Sequence, residues 1–312
     1  MRFRALPAIF AAAALAAPAF AAQLGSTAQS VLPSTTRQIV SVNYHRLTAS
    51  PLALSVEGQV LPDQMRNVQH LLAEGGVNLQ QNLSRLTFAT YANGKTIGLI
   101  GIAEGDFDGF QTSRFFHPTA RDPNPPQYEG VTYYNTGSLD FYLPDPTTFV
   151  FGDYQSIKTA IETQSGAQPS LDENSQLTDL IAGTESSDVW SVLDAAGAQG
   201  LIGSLASGAS TFNASVLASH FQGARYTIDF SGDVKVNLEL MTDDPVSAGL
   251  ASTGLRAAVL YKEYRAKNPA LKSLLNEVEV DSAGNDAFLQ VETPQSQVAN
   301  LLHTQLFQSI LR

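Results

Sequence analysis

The sequence predicts an α+β fold of two similar halves, each an antiparallel sheet with helices packed on one face, in an order that allows the halves to share a continuous sheet. Three observations predict it. Asn93-Gly94 and Ser231-Gly232 each join two apolar-alternating runs, the signature of a β-hairpin. Helical stripes stand behind capping residues at Asp153, Asn174 and Asp243-Asp244-Pro245. Short motifs also recur in one order at a nearly constant offset.

The elements follow in chain order. Ile39, Val40 and Val42 mark a strand over 38–44. Pro62-Asp63 opens a helix with Met65, Val68, Leu71 and Leu72 at helical spacing, and Gly75-Gly76 ends it. The first hairpin spans 85–103. Residues 104–116 could hold a helix, and four prolines make 117–127 an irregular loop. Short strands are predicted at 131–134, 139–143 and 148–151. A helix capped by Asp153 then faces Ile157, Ala160 and Ile161 inward.

A short helix over 174–182 closes at Gly183, and a strand over 187–193 carries Trp190. The Ala/Gly/Ser-rich stretch 195–219 has a weak helical pattern. The second hairpin spans 224–241. A long helix runs from Pro245 to about Lys267 and another from Pro269 to Asn276. Strands follow at 277–281 and 287–292, and Pro294 opens a final helix with Val298, Leu301, Leu302, Leu306 and Ile310 on one face.

Several motifs pair across the chain. Val40-Ser41-Val42 matches Trp190-Ser191-Val192, and Arg85-Leu86-Thr87-Phe88 matches Arg225-Tyr226-Thr227-Ile228. The two hairpin turns and the helix openings at Tyr154 and Pro294 complete the series, at offsets of 150, 140, 138 and 140–141 residues. This spacing is what a duplicated unit leaves behind, and it is too long for a solenoid repeat. The organisation expected is a signal peptide at 1–21, a flexible leader at 22–37, a first half at 38–185 and a second half at 186–312.

The signal peptide rests on Arg2 and Arg4, the apolar run from Ala5 to Ala22 and the small-x-small site Ala19-Phe20-Ala21. It implies a periplasmic or secreted protein of bacterial type. The chain has no cysteine, so neither a lipid anchor nor a disulfide framework is available. Without Arg2 and Arg4, 16 basic residues face 29 acidic ones, a net charge of −13. Such a surface repels phosphate backbones and argues against nucleic acid as a partner. No later apolar run approaches the ~18 residues of a membrane span, so no stable membrane insertion is expected after cleavage.

Chemistry-bearing motifs are sparse. The five histidines hold no His-Glu-x-x-His spacing, and the chain has no Gly-x-Ser-x-Gly elbow, phosphate loop or dinucleotide fingerprint. No metal site and no cofactor are expected. The one segment suited to chemistry is 104–122, where Asp106, Asp108 and His117 are the candidate catalytic residues. A carboxylate pair beside a histidine can do acid–base work. Asp106-Phe107-Asp108-Gly109 also has the start of a calcium loop but not its later ligands. Alternatively the segment is a capped surface loop whose phenylalanines enter the core.

Phe149-Val150-Phe151-Gly152-Asp153 before a helix, Leu171-Asp172-Glu173-Asn174 at a helix start, and Asp188-Val189-Trp190-Ser191-Val192 form a set of strand ends and caps. Over 145–195 the chain resembles uncharacterised exported bacterial proteins. The resemblance implies an exported α+β protein and transfers no functional residue. Three readings of function follow: a non-enzymatic envelope scaffold binding a partner protein or apolar small molecule, a hydrolase using 104–122, or a carrier of a lipid or other apolar ligand.

Overall fold

The computed structural model describes residues 24–50, 63–184, 186–205 and 218–295. The expected signal peptide and final helix lie outside these residues. In chain order the elements are α1 (Ser26–Val31), β1 (Thr36–Asn43), α2 (Tyr44–Ala49), α3 (Asp63–Glu74), α4 (Leu79–Asn82), β2 (Leu83–Asn93) and β3 (Thr96–Gly105). Short strands β4 (Gln127–Tyr128), β5 (Val131–Thr132) and β6 (Tyr134–Asn135) precede β7 (Asp140–Asp145), β8 (Thr148–Gly152), α5 (Tyr154–Gln164) and α6 (Ser175–Ile181). Then come β9 (Val189–Asp194), α7 (Ala195–Leu205), β10 (Phe221–Asp229), β11 (Val234–Thr242), α8 (Pro245–Arg265), α9 (Pro269–Asn276), β12 (Glu279–Ala283) and β13 (Asp286–Thr293).

Eleven strands make one antiparallel sheet in the order β12-β13-β11-β10-β9-β1-β2-β3-β8-β7-β6. The order reads alike outward from the central β1–β9 pair. A hairpin and then a second two-stranded unit follow on each side, and β6 adds one strand beyond β7. Val42 stands opposite Val189 and Ile39 opposite Val192, so the seam is apolar on both faces.

Period-two alternation assigns each residue to a face. On the front, Leu86, Phe88, Ala103, Phe149 and Phe151 fill the first half beneath Val68, Leu71 and Leu72 of α3. Rings pack edge-on and stacked there, with Phe141 and Phe149 centroids 4.9 Å apart. Gly101 permits this, since a Cβ there would sit 2.1 Å from the Phe151 ring. In the second half the front carries Ala224, Tyr226, Val236, Leu238 and Leu240 beneath α7 and α8.

The back differs between halves. Ile39, Ile100, Ile102 and Trp190 are covered by α1, α5 and α6. On β11 the back positions are Lys235, Asn237, Glu239 and Met241, none of them fully buried. The first half therefore has helices on both faces, while the second has its described helices on the front.

Two expectations are corrected. Residues 24–35 are no flexible leader: α1 packs into the core through Ala28 and Val31, and Leu24 and Leu32 on either side of it are buried too. Ala28 and Val31, three residues apart, share one face of α1, and Leu24 and Leu32 flank the helix. Over 104–116 the helix is a single 3-10 turn, Thr112–Phe115, since Phe107 and Phe110 are drawn separately into the aromatic core.

Candidate functional site

The sequence-selected residues do not form one constellation. Asp106 and Asp108 are exposed on the turn after β3 and share only a hydrogen bond, from the Asp108 N–H to Asp106 Oδ1 at 3.2 Å. His117, also exposed, lines a separate open groove of about 500 Å³ with His70, Glu74 and Arg114. Between them, Phe107 and Phe110 anchor the segment to Phe149 at 6.0 and 5.3 Å.

One group of potential metal ligands occurs among the described residues. His220, Asp243 and Asp244 bring ligand atoms within 4.8 Å of one another. Its geometry is that of a helix start. Asp244 Oδ1 accepts the Val246 and Ser247 N–H groups, and Oδ2 accepts the Ser247 hydroxyl. These bonds, Ser247 first, hold the Asp244 carboxyl down to about 2. His220 Nδ1 lies 3.0 Å from Asp243 Oδ1.

The most distinctive space lies on the front of the second half. The sheet supplies Tyr226, Val234, Val236, Leu238, Leu289 and Val291. Leu201 and Leu205 of α7 close one side, and Leu274 and Leu275 of α9 close another. Across the top runs α8, which lines the space with Leu255, Ala258, Val259 and Lys262. Ala251 and Leu255 pack onto the sheet, and the space opens beside Ala258, over the short valines of the strands. A cavity of about 80 Å³ remains, or about 930 Å³ with the part of its mouth open to solvent.

Two polar residues belong to this wall. The wall surface is almost wholly apolar, so half-buried Lys262 lines it with its aliphatic stem and carries its ammonium outward. Burial pushes the Lys262 ammonium below its ordinary pKa. Thr293, at the end of β13, is buried, and its hydroxyl has no hydrogen-bond partner among the described residues. Tyr226 is buried too, and burial raises its phenol to about 12.

Both features carry a cost. At about 24 cal/mol per Å³, an unfilled 80 Å³ void corresponds to roughly 2 kcal/mol. A buried, unpaired hydroxyl costs about 1–3 kcal/mol more. The equivalent place in the first half holds Phe88, Phe141, Phe149 and Phe151 instead.

Neither these residues nor their spacing stood out in the sequence. The available signal was slight: Ala258 is the one small residue among the α8 positions that line the space, beside Leu255 and Val259.

Among the described residues no helix is long and apolar enough to cross a membrane. No family model and no curated protein sequence matches the chain. Among solved structures it is similar to crystal form I of the Treponema protein TP0453, with 12% identity over 91% of this chain and 96% of that one at a TM-score of 0.47. Crystal form III gives 11% identity, 88% and 96% coverage and a TM-score of 0.48. At that level the likeness is one of chain course.

Proposed function

We propose that the protein is a non-enzymatic, exported binding protein that holds the alkyl chain of a small amphiphile in the cavity beneath α8. The observation that carries this reading is the contrast between the two fronts. Two units of the same strand order stand side by side, one filled by phenylalanine rings and one left hollow. The organisation is read as two diverged copies of one unit, 38–185 and 186–312, with binding in the second. Export rests on the signal-like residues 1–21.

The ligand class follows from the wall. Apolar side chains accept a hydrocarbon chain and give it no orientation. The Thr293 hydroxyl and Lys262 ammonium supply a donor and a positive charge, which suit a carboxylate or phosphate head. A bound chain fills the void, and its head group satisfies the orphaned hydroxyl. Asp106, Asp108 and His117 lie outside the cavity wall and take no role in this reading.

The test is displacement of a fluorescent fatty-acid probe from the purified protein. Long-chain carboxylates should displace it, and short-chain ones of the same charge should not. Ala258→Leu, which places a larger side chain in the roof, should abolish binding while Trp190 emission shows an intact core. Equal binding by Ala258→Leu would sink the proposal.

A further inference from the structure

The outer side of α8 is apolar as well. Leu250, Leu260 and Tyr264 are exposed to 54%, 58% and 85% of their surface, and Val246 is exposed too. With Thr253 and Ala257 they fall at 246, 250, 253, 257, 260 and 264. The intervals of four, three, four, three and four residues are the heptad spacing of a helix-pairing seam. No charged residue interrupts it. Arg256, which could, is turned aside by donating from Nη2 to the Val280 carbonyl at 2.6 Å.

The seam is also a palindrome. About position 255 it pairs 246 with 264, 250 with 260, and 253 with 257. An antiparallel copy would set Val246 against Tyr264, Leu250 against Leu260, and Thr253 against Ala257. Large side chains meet at the ends. The two small residues meet at the centre, where they let the helix axes approach closely. A self-complementary patch of this kind is what a two-fold, isologous contact requires. The seam is ~27 Å long at 1.5 Å per residue. Its exposed side chains offer on the order of 600 Å² per copy, so a pair buries ~1,200 Å², the lower end of specific interfaces.

We infer that α8 pairs with α8 of a second copy of this chain, antiparallel, about a two-fold axis at the level of Leu255. The helix then has an apolar partner on each side, the cavity-bearing sheet and its own mate, which accounts for its lack of a polar face. The pairing does not depend on what fills the cavity.

Sedimentation equilibrium of the purified protein should show a dimer at about 10 μM, a dissociation constant in the micromolar range. Leu250→Glu with Leu260→Glu should weaken it at least tenfold and leave the circular-dichroism melt in place, because both positions are exposed. The cysteine-free chain permits an orientation test. Thr253→Cys with Ala257→Cys should oxidise to a covalent dimer, since 253 meets 257 of the mate, while either cysteine alone should link far less. A monomer at 100 times the expected dissociation constant overturns the inference, and so does a dimer indifferent to the glutamates. Flotation with neutral phosphatidylcholine vesicles that the glutamates abolish, by a protein monomeric without lipid, assigns the seam to a membrane surface and overturns it equally.

Discussion

Arg225 Nε lies 2.6 Å from Glu239 Oε2, directly across the β10–β11 ladder. Arg85 stands opposite Glu104 across β2–β3 in the same way, at 3.8 Å. Both pairs are on the back of the sheet, each beginning the hairpin of its half. Arg225 does more than pair, since its Nη1 donates to the Ala182 carbonyl at 2.9 Å and ties the end of α6 to the sheet. Arg225→Met should destabilise by about 1.5–3 kcal/mol, the range for hydrogen bonds to charged groups. Arg225→Lys should lose most of that, because an ammonium lacks the planar fork that serves two acceptors at once. Urea denaturation followed by Trp190 emission measures both. A Lys variant as stable as the parent would reduce the site to simple charge pairing.

Glu104 makes the counterpart pair sensitive to pH. Burial, the largest influence, pushes its carboxyl above the ordinary 4.5, against the opposing pull of Arg85 and the Gly25 N–H. The folded form therefore holds its proton at a pH where the unfolded chain has released it. Stability falls as pH rises from about 4.5 through the raised folded value, and this contribution is flat below. Glu104→Gln keeps an acceptor for the Gly25 N–H, 2.9 Å away, and removes the titration. Melting temperatures between pH 4 and 8 should show the variant gaining on the parent as pH rises. Two parallel curves would show that Glu104 titrates as it does in the unfolded chain.

Asn174 joins α6 to the start of β1 through one side chain. Its Oδ1 accepts the Leu177 N–H as the cap of α6, while Nδ2 donates to the carbonyls of Ser34 and Thr36 at 2.8 and 3.3 Å. Loss of the cap alone costs about 1 kcal/mol, and two orphaned carbonyls at the start of β1 add to it. Asn174→Ala should cost about 2–3 kcal/mol, and Asn174→Asp, which caps but cannot donate, should recover only the first part. Equal losses would mean that the cap contributes nothing, and an Asp variant as stable as the parent would mean that the strand contacts contribute nothing.

Much of the fold was legible because short-range rules determine it. Asn93-Gly94 could only be a tight turn, and Asp153, Asn174 and Asp244 each accept the N–H groups that a helix start leaves open. The recurrence of Arg85 and Arg225 at one hairpin position was also visible, though not the glutamates they face. The buried set of Leu24, Ala28, Val31 and Leu32 was legible and outweighed by the polar residues between them. The cavity was not legible. It depends on how α8 sits over strands drawn from distant parts of the chain, which no local pattern encodes. The exposed seam was hidden for a related reason: with Ala and Leu on every side, α8 gives no periodic signal separating an inner face from an outer one.

The filled and hollow fronts should respond oppositely to changes of size. Phe149 is fully buried and contacts Phe107, Phe110, Phe141 and Phe151. Phe149→Ala should cost about 3–5 kcal/mol, as for other buried aromatic truncations. Ala258→Leu adds volume where about 80 Å³ is empty and should stabilise the ligand-free protein by up to ~2 kcal/mol. Thermal melts without ligand decide this, and destabilisation by Ala258→Leu would mean that the space closes in solution.

The two polar residues of the cavity wall should separate into distinct roles. Thr293→Val replaces the unpartnered hydroxyl with a methyl of similar size, so the ligand-free protein should gain about 1 kcal/mol. Affinity for a long-chain carboxylate should fall in the same variant, because no hydroxyl remains to donate to the head group. Lys262→Gln leaves most of the stem and removes the charge. It should weaken a long-chain carboxylate by about tenfold, or ~1.4 kcal/mol, and leave the corresponding alcohol unchanged. Raising the salt concentration should erode the parent's preference for the carboxylate, since a half-buried ammonium is partly open to screening. A variant that loses acid and alcohol equally would assign Lys262 to packing through its stem alone, and the head-group preference would then have to rest on Thr293.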